Sequence, residues 1–388
     1  MKRSLIALPL TLALVGCAHR VPPRAPLFPL SPIWEQNLDD FVLPPLGADT
    51  RRLFVATRAG TIYALSQETG AVLWKHEGQP GRLAAAPGRL IVHAEDGTVT
   101  SLRVRNGEVR WTTQTPVVGD GPPAPTLEGE RVYVAGRGLV ALEADTGRIL
   151  WTQNSPADIT APPVATAARI LVGEADGTLR CLDRATGLPL WAHQTESALR
   201  APVLVDEERR RIYVGTTDRR ILEVNLDNGD RGWRWKVGAD IEAPGLLLPD
   251  RVFFASFDAV LYGLQRGGSL AWRSALPSRP LSGPLLLDDS IVIACHENEI
   301  LGFELTEGRS LGSLRTAAEI RTAPLIAGRQ IFVGLRNRSV VAYTVPSLAE
   351  HHEYDITDGT NQLGNVKAIP LQRLQRTHSA VTQYSITR

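Results

Sequence analysis

The segment Asp176-Gly177-Thr178-Leu179-Arg180-Cys181-Leu182-Asp183-Arg184-Ala185-Thr186-Gly187-Leu188-Pro189-Leu190-Trp191 holds a hairpin turn, an alternating run, a glycine turn and an aromatic stop. Asp-Gly is a two-residue hairpin signal, because both positions tolerate positive φ. Residues 178–183 alternate in the manner of a strand, and residues 188–191 form the next one. Upstream, Ile170-Leu171-Val172-Gly173 is a short buried run. Ala161-Pro162 opens one more strand, at whose start proline is tolerated. Residues 161–191 therefore make one four-stranded antiparallel sheet.

The same unit repeats along the chain. A turn glycine precedes a tryptophan by four residues at Gly70/Trp74, Gly107/Trp111, Gly147/Trp151, Gly187/Trp191, Gly229/Trp233 and Gly268/Trp272. Successive tryptophans are 37 to 42 residues apart, a period that belongs to propellers and related arrays. Second strands recur near Leu53, Leu90, Val132, Ile170, Ile212, Val252, Ile291 and Ile331. The expectation is an all-β, eight-bladed β-propeller of four-stranded antiparallel blades over residues 34–346. The seventh unit has Gly312 where tryptophan belongs, and the eighth lacks a fourth strand. Trp34 lies 40 residues before Trp74, in phase with the repeat. An N-terminal strand near Trp34 is therefore expected to close the last blade and remove an open sheet edge. Each repeated tryptophan reads as an apolar plate packed on the next blade, with an N–H that needs an acceptor.

The ends of the chain read differently. Lys2 and Arg3 precede an apolar run over residues 5–15, which is too short to span a bilayer. Leu14-Val15-Gly16-Cys17 then resembles a bacterial lipobox. That resemblance implies a signal peptide over residues 1–16 and acylation, palmitate included, at Cys17. Ala18 is non-acidic, which in such signals favours the outer membrane. Pro22, Pro23, Pro26, Pro29 and Pro32 make residues 17–33 an extended tether. Residues 347–388 lack the repeat and read as a mobile tail, with His351-His352-Glu353 part of it rather than a metal site. A net charge of +1 gives no field that would draw nucleic acid. Cys181 and Cys295 fall in different blades, too far apart for a disulfide, and read as buried thiols. No cysteine or histidine spacing suits zinc, and neither cofactor nor metal is expected.

The strings over residues 60–74 and 177–191 resemble the pyrroloquinoline-quinone-like propeller repeat. With the lipobox, the tether and eight units, the chain resembles the BamB family of outer-membrane assembly lipoproteins. The resemblance implies a non-catalytic, periplasm-facing scaffold, lipid-anchored in the outer membrane and monomeric within a complex. The implied partner is a barrel subunit of the BamA type, bound through its periplasmic domains. In that family two consecutive inter-blade loops carry the partner surface, one with a Leu-Arg element and the next with an acidic-x-acidic element. Here Leu199-Arg200 precedes Ala201-Pro202, and Asp240-Ile241-Glu242 precedes Ala243-Pro244. Related patterns occur at residues 158–162 and 319–324. Leu199, Arg200, Asp240 and Glu242 are thus the expected partner residues, with Leu199 a protruding anchor. Two other functions stay open: a scaffold or sensor of another envelope complex, and a quinone-dependent dehydrogenase. The dehydrogenase needs Ca²⁺ on oxygen ligands, a carboxylate base and long loops over the axis. Blades near 40 residues with short turns leave no room for such a cap, and no enzyme is expected.

Overall fold

A computed structural model describes residues 27–119 and 121–346. The signal segment 1–16, Cys17, the tether to residue 26 and the tail 347–388 lie outside the described residues. The described residues form eight four-stranded antiparallel sheets and no helix. Blades 1 to 7 span residues 42–77, 81–114, 126–154, 164–194, 204–236, 246–275 and 285–315, each a meander in chain order. Blade 8 takes three strands from residues 325–344 and its outer strand from Ser31–Asn37. That strand pairs antiparallel with Ser339–Thr344, placing Trp34 opposite Ala342.

The core is a set of seams rather than one centre. Eight buried clusters each draw on two consecutive blades, from Phe54, Ile62, Leu90 and Leu102 between blades 1 and 2 to Val55, Tyr63, Phe332 and Val340 between blades 1 and 8. Second strands such as Arg52–Thr57 are buried almost throughout, because sheets cover both their faces. Outer strands such as Val72–Glu77 are largely exposed.

The glycine and the tryptophan of the repeat meet across each seam. Gly147 of blade 3 has φ +73°, and a Cβ there would lie 2.4 Å from Cε3 of Trp111 in blade 2. Only glycine both adopts that turn and admits the ring. The Trp111 indole Nε1 donates to the carbonyl of Ala144, 3.0 Å away in the same turn. The same bond, at 2.8–3.2 Å, joins Trp34, Trp74, Trp151, Trp191, Trp233 and Trp272 to the blade after each. The ladder shifts register at the tryptophan, as in blade 3, where Trp151 stands opposite Ala141 and Ile149 opposite Leu142.

Blade 7 is the exception, and the closure explains it. A tryptophan at 312 would need a turn glycine between the last two strands of blade 8. Those strands come from opposite ends of the chain, so that turn does not exist. Leu27 and Phe28 occupy the space instead. A Cβ on Gly312 would lie 3.0 Å from Phe28 Cβ, and one on Gly302 would lie 2.3 Å from Leu27 Cδ2. Leu27 and Leu30 are 5% and 4% exposed, packed with Val292, Ile300, Tyr343 and Val345. The tether boundary expected at residue 33 therefore moves: residues 27–33 belong to the fold, because they fill and close the last seam.

Trp235 is the one described tryptophan outside this scheme. Its Nε1 is buried with no acceptor, whereas Trp233 Nε1 donates to Arg266 O at 2.9 Å. Trp233→Phe should lower stability by about 1 kcal/mol or more, since it strands a carbonyl. Trp235→Phe should leave the melting temperature level or raise it, since it removes an unpaired donor. Urea melts of both variants check this, and equal losses would remove the distinction.

Candidate functional site: a loop face over blades 4 to 6

In each meander, the turn between the second and third strands and the link to the next blade emerge at the same end of the sheet. All the expected partner residues lie on this face. The link from blade 4 to blade 5 covers residues 195–203, and that from blade 5 to blade 6 covers residues 237–245.

Leu199 does not protrude. It is 0% exposed, its N–H donates to Glu174 O at 3.2 Å, and its side chain sits among Leu171, Cys181, Val203 and Ile212. A Cβ on Gly173 would lie 2.7 Å from Leu199 Cβ, so the glycine ending the second strand makes room for it. Ile241 is likewise 0% exposed and sits over Gly215. Ile159 and Ile320 are buried at the same loop position. The apolar residue of each loop is thus a plug that seals a seam from above. Leu199 is corrected from partner anchor to structural plug. The related patterns at 158–162 and 319–324 follow from the same requirement.

The residues beside the plugs face outward. Arg200 is 58% exposed and its Nη1 lies 3.2 Å from Glu242 Oε1. The structure thus brings Arg200 and Glu242 together across blade 5. Asp240 is half-buried; its carbonyl accepts from Phe257 N at 2.9 Å, and its carboxylate has no partner among the described residues. Next to Phe257, the Arg279 guanidinium lies 5.6 Å from the phenyl centroid, a cation–π contact on the same face.

Two carboxylates that the sequence did not single out fix these loops. Glu174 is fully buried; it accepts from Arg180 Nε at 2.8 Å, Arg180 Nη2 at 3.1 Å and Ser155 Oγ at 2.7 Å. The bond to Glu174 raises the pKa of Arg180 above the usual guanidinium range. The Glu174 side chain holds one link through Ser155, and its backbone carbonyl holds the next through Leu199. Asp258 accepts from Gly238 N at 2.8 Å and Tyr262 Oη at 2.6 Å, clamping the link to blade 6. Burial, followed by the bond to Asp258, pushes the Tyr262 phenol up to about 12. The only sequence signal for either acid was its place at a hairpin turn, which most surface acids share. Cys181 and Cys295 are buried free thiols, and desolvation pushes both up to about 12, away from thiolate chemistry.

The quinone of propeller dehydrogenases requires a Ca²⁺ held by oxygen ligands. Among the described residues no group of three or more His, Cys, Asp or Glu side chains is placed to hold a metal ion.

A ring of blades bonded tryptophan to turn, with charged loops on one face, defines a propeller of the quinoprotein-repeat class. A family model described as outer membrane protein assembly factor BamB matches residues 31–136 and 114–311, and the chain belongs to that family. Among solved structures, BamB from Moraxella catarrhalis superposes with TM-score 0.68 at 15% identity, covering 81% of this chain and 99% of that one. A computationally designed protein, Ika8, gives TM-score 0.71 at 16% identity over 83% and 100%. Quinohemoprotein alcohol dehydrogenase from Comamonas testosteroni gives 0.68 at 13% over 88% and 78%. At such identities these likenesses show the fold alone. No curated protein matches the chain in sequence.

Proposed function

We propose that the chain is a non-catalytic scaffold lipoprotein. It is acylated at Cys17, faces the periplasm from the outer membrane, and helps insert β-barrel proteins by binding a barrel-assembly subunit of the BamA type. The observation that carries this reading is the family match over most of the propeller. The loop face supplies its chemistry: Arg200, Glu242 and Asp240 stand on two consecutive links stiffened by buried plugs and by Glu174 and Asp258. Exposed charges on rigid loops set register and encounter rate at an interface.

The test separates a partner contact from an internal brace. Arg200→Glu and Glu242→Arg should each cut capture of the barrel subunit's periplasmic domains about tenfold, a cost of about 1.4 kcal/mol. Stability should stay within about 0.5 kcal/mol, because exposed ion pairs contribute little. The double charge swap restores the internal pair but reverses what the partner meets, so it should remain weak. Recovery in the double variant would reduce the pair to a brace, and undiminished capture in all three would remove these loops from the interface. Pulldown from detergent-solubilised envelopes with the wild-type chain tests the rival reading of a different envelope complex.

A further inference from the structure

The outer strands of blades 5 and 6 carry a charge pattern found on no other described blade. Arg231, Arg234 and Lys236 are exposed on the edge strand Arg231–Lys236, and Arg273 is exposed on Leu270–Ala275. Arg234 and Arg273 each directly follow their blade's tryptophan. Arg219 stands exposed at the adjoining hairpin turn of blade 5. None of the five has a carboxylate partner among the described residues. The lysine and arginines on the other edge strands do: Lys75 pairs with Glu77, Arg110 with Asp145 and Arg315 with Glu299. The acids near the patch are already taken. Glu196 and Asp218 both pair with Arg220, Glu223 pairs with Arg211, and Asp230 is bonded to Asn228. Arg231 and Arg234 also line a cleft of about 50 Å³ between blades 4 and 5, together with His193, Arg220 and the two acids paired to Arg220, Glu196 and Asp218. Planar guanidinium groups there suit phosphate oxygens.

The path of the chain says which way this rim faces. Leu27 is fixed in the seam between blades 7 and 8. Nine residues separate it from Cys17, ten steps that span about 33–36 Å at full extension. Acylation at Cys17 would confine the rim around blade 7 to that distance from the bilayer. Blade 6 adjoins it; exposed Leu311 lies on the edge strand of blade 7, and exposed Leu270 shares the edge strand of blade 6 with Arg273.

We propose that the rim of blades 5 and 6 is a membrane-docking surface, in which Arg231, Arg234, Lys236 and Arg273 engage the phosphates of anionic phospholipids. Its orientation rests on the acylation at Cys17 proposed above, but it uses the outer strands of the rim rather than the inter-blade links, and vesicle binding and partner capture are read separately. Each cation near an anionic surface strengthens binding about fivefold, so reversing four should weaken it by more than about a hundredfold. The test uses residues 18–388, which retain every described strand and the Leu27–Leu30 clasp, without acyl chains. Co-sedimentation with phosphatidylglycerol-containing vesicles should exceed that with pure phosphatidylcholine and should fall as salt rises. The variant R231E/R234E/K236E/R273E should lose it, as should the milder R231Q/R234Q/K236Q/R273Q if the first misfolds, while Arg315→Glu on blade 7 should not. Capture of the barrel subunit in detergent should be unchanged in the quadruple variant. Equal binding to both kinds of vesicle, or full binding by the quadruple variant, overturns the proposal. Binding to polyglutamate without binding to vesicles also overturns it, giving the surface to an acidic polypeptide.

Discussion

Removing Ser31–Asn37 is expected to abolish the cooperative unfolding transition or to lower it further than any single substitution. The strand supplies the fourth member of blade 8, and its loss exposes Ser339–Thr344 as a bare edge. Trp34 goes with it. Its ring lies 5.8 Å from Phe332, its Nε1 donates to Gln67 O at 2.8 Å, and it covers Gly70 of blade 1. Trp34→Ala alone should cost about 3–5 kcal/mol. The whole strand should cost more than about 5 kcal/mol, within reach of the total stability of a typical domain. The exposed edge should also make the truncated chain aggregate. Deleting residues 18–26 should leave the melting temperature unchanged. Deleting residues 27–30 should fall between the two, because Leu27 and Leu30 fill the seam where blade 7 lacks its tryptophan. Calorimetry on the three truncations decides: if loss of 31–37 and loss of 18–26 melt alike, the ring is not closed by this strand.

Leu199→Asp is the second severe change. Truncating a buried leucine costs about 2–5 kcal/mol through lost transfer energy and cavity. A carboxylate there adds several more, since it would be buried among the apolar side chains of Leu171, Val203 and Ile212. The sum exceeds about 5 kcal/mol, and the variant should be largely unfolded at 37 °C. Arg200→Glu, one residue away, should melt with the wild type. Circular dichroism melts of the two give a sharp contrast. A Leu199→Asp variant as stable as the parent would mean that the plug is not seated as described, and would restore the residue as a candidate contact.

That contrast also marks how far the sequence could be read. The blade count was legible because its signals are local: a turn glycine, four residues, a tryptophan, about every 40 residues. The closure was legible because Trp34 keeps phase with the repeat. The plug was misread, because a single apolar residue flanked by charges looks like an interface anchor when one loop is considered alone. Its recurrence as Ile159, Ile241 and Ile320 was the clue, since four loops with one apolar position share a structural task. Phe28 was not legible. Its contact with Gly312 joins distant parts of the chain and repeats nowhere. Glu174 was hidden for another reason: an acid ahead of an Asp-Gly turn looks solvated, and its burial depends on Ser155 and Arg180 in separate elements. Pair-specific contacts of this kind leave no period.

Among the described strands, the one that completes blade 8 is synthesised first and its partner last. Glu35 and Asn337, which meet in the finished ring, are 302 residues apart. During synthesis this strand therefore stays unmatched until the last strand of the ring has been made. Blades 1 to 7 can stack on one another in order of arrival, but the circle cannot shut early. A chain that stops short of residue 339 leaves Ser31–Asn37 without its partner strand and the ring open.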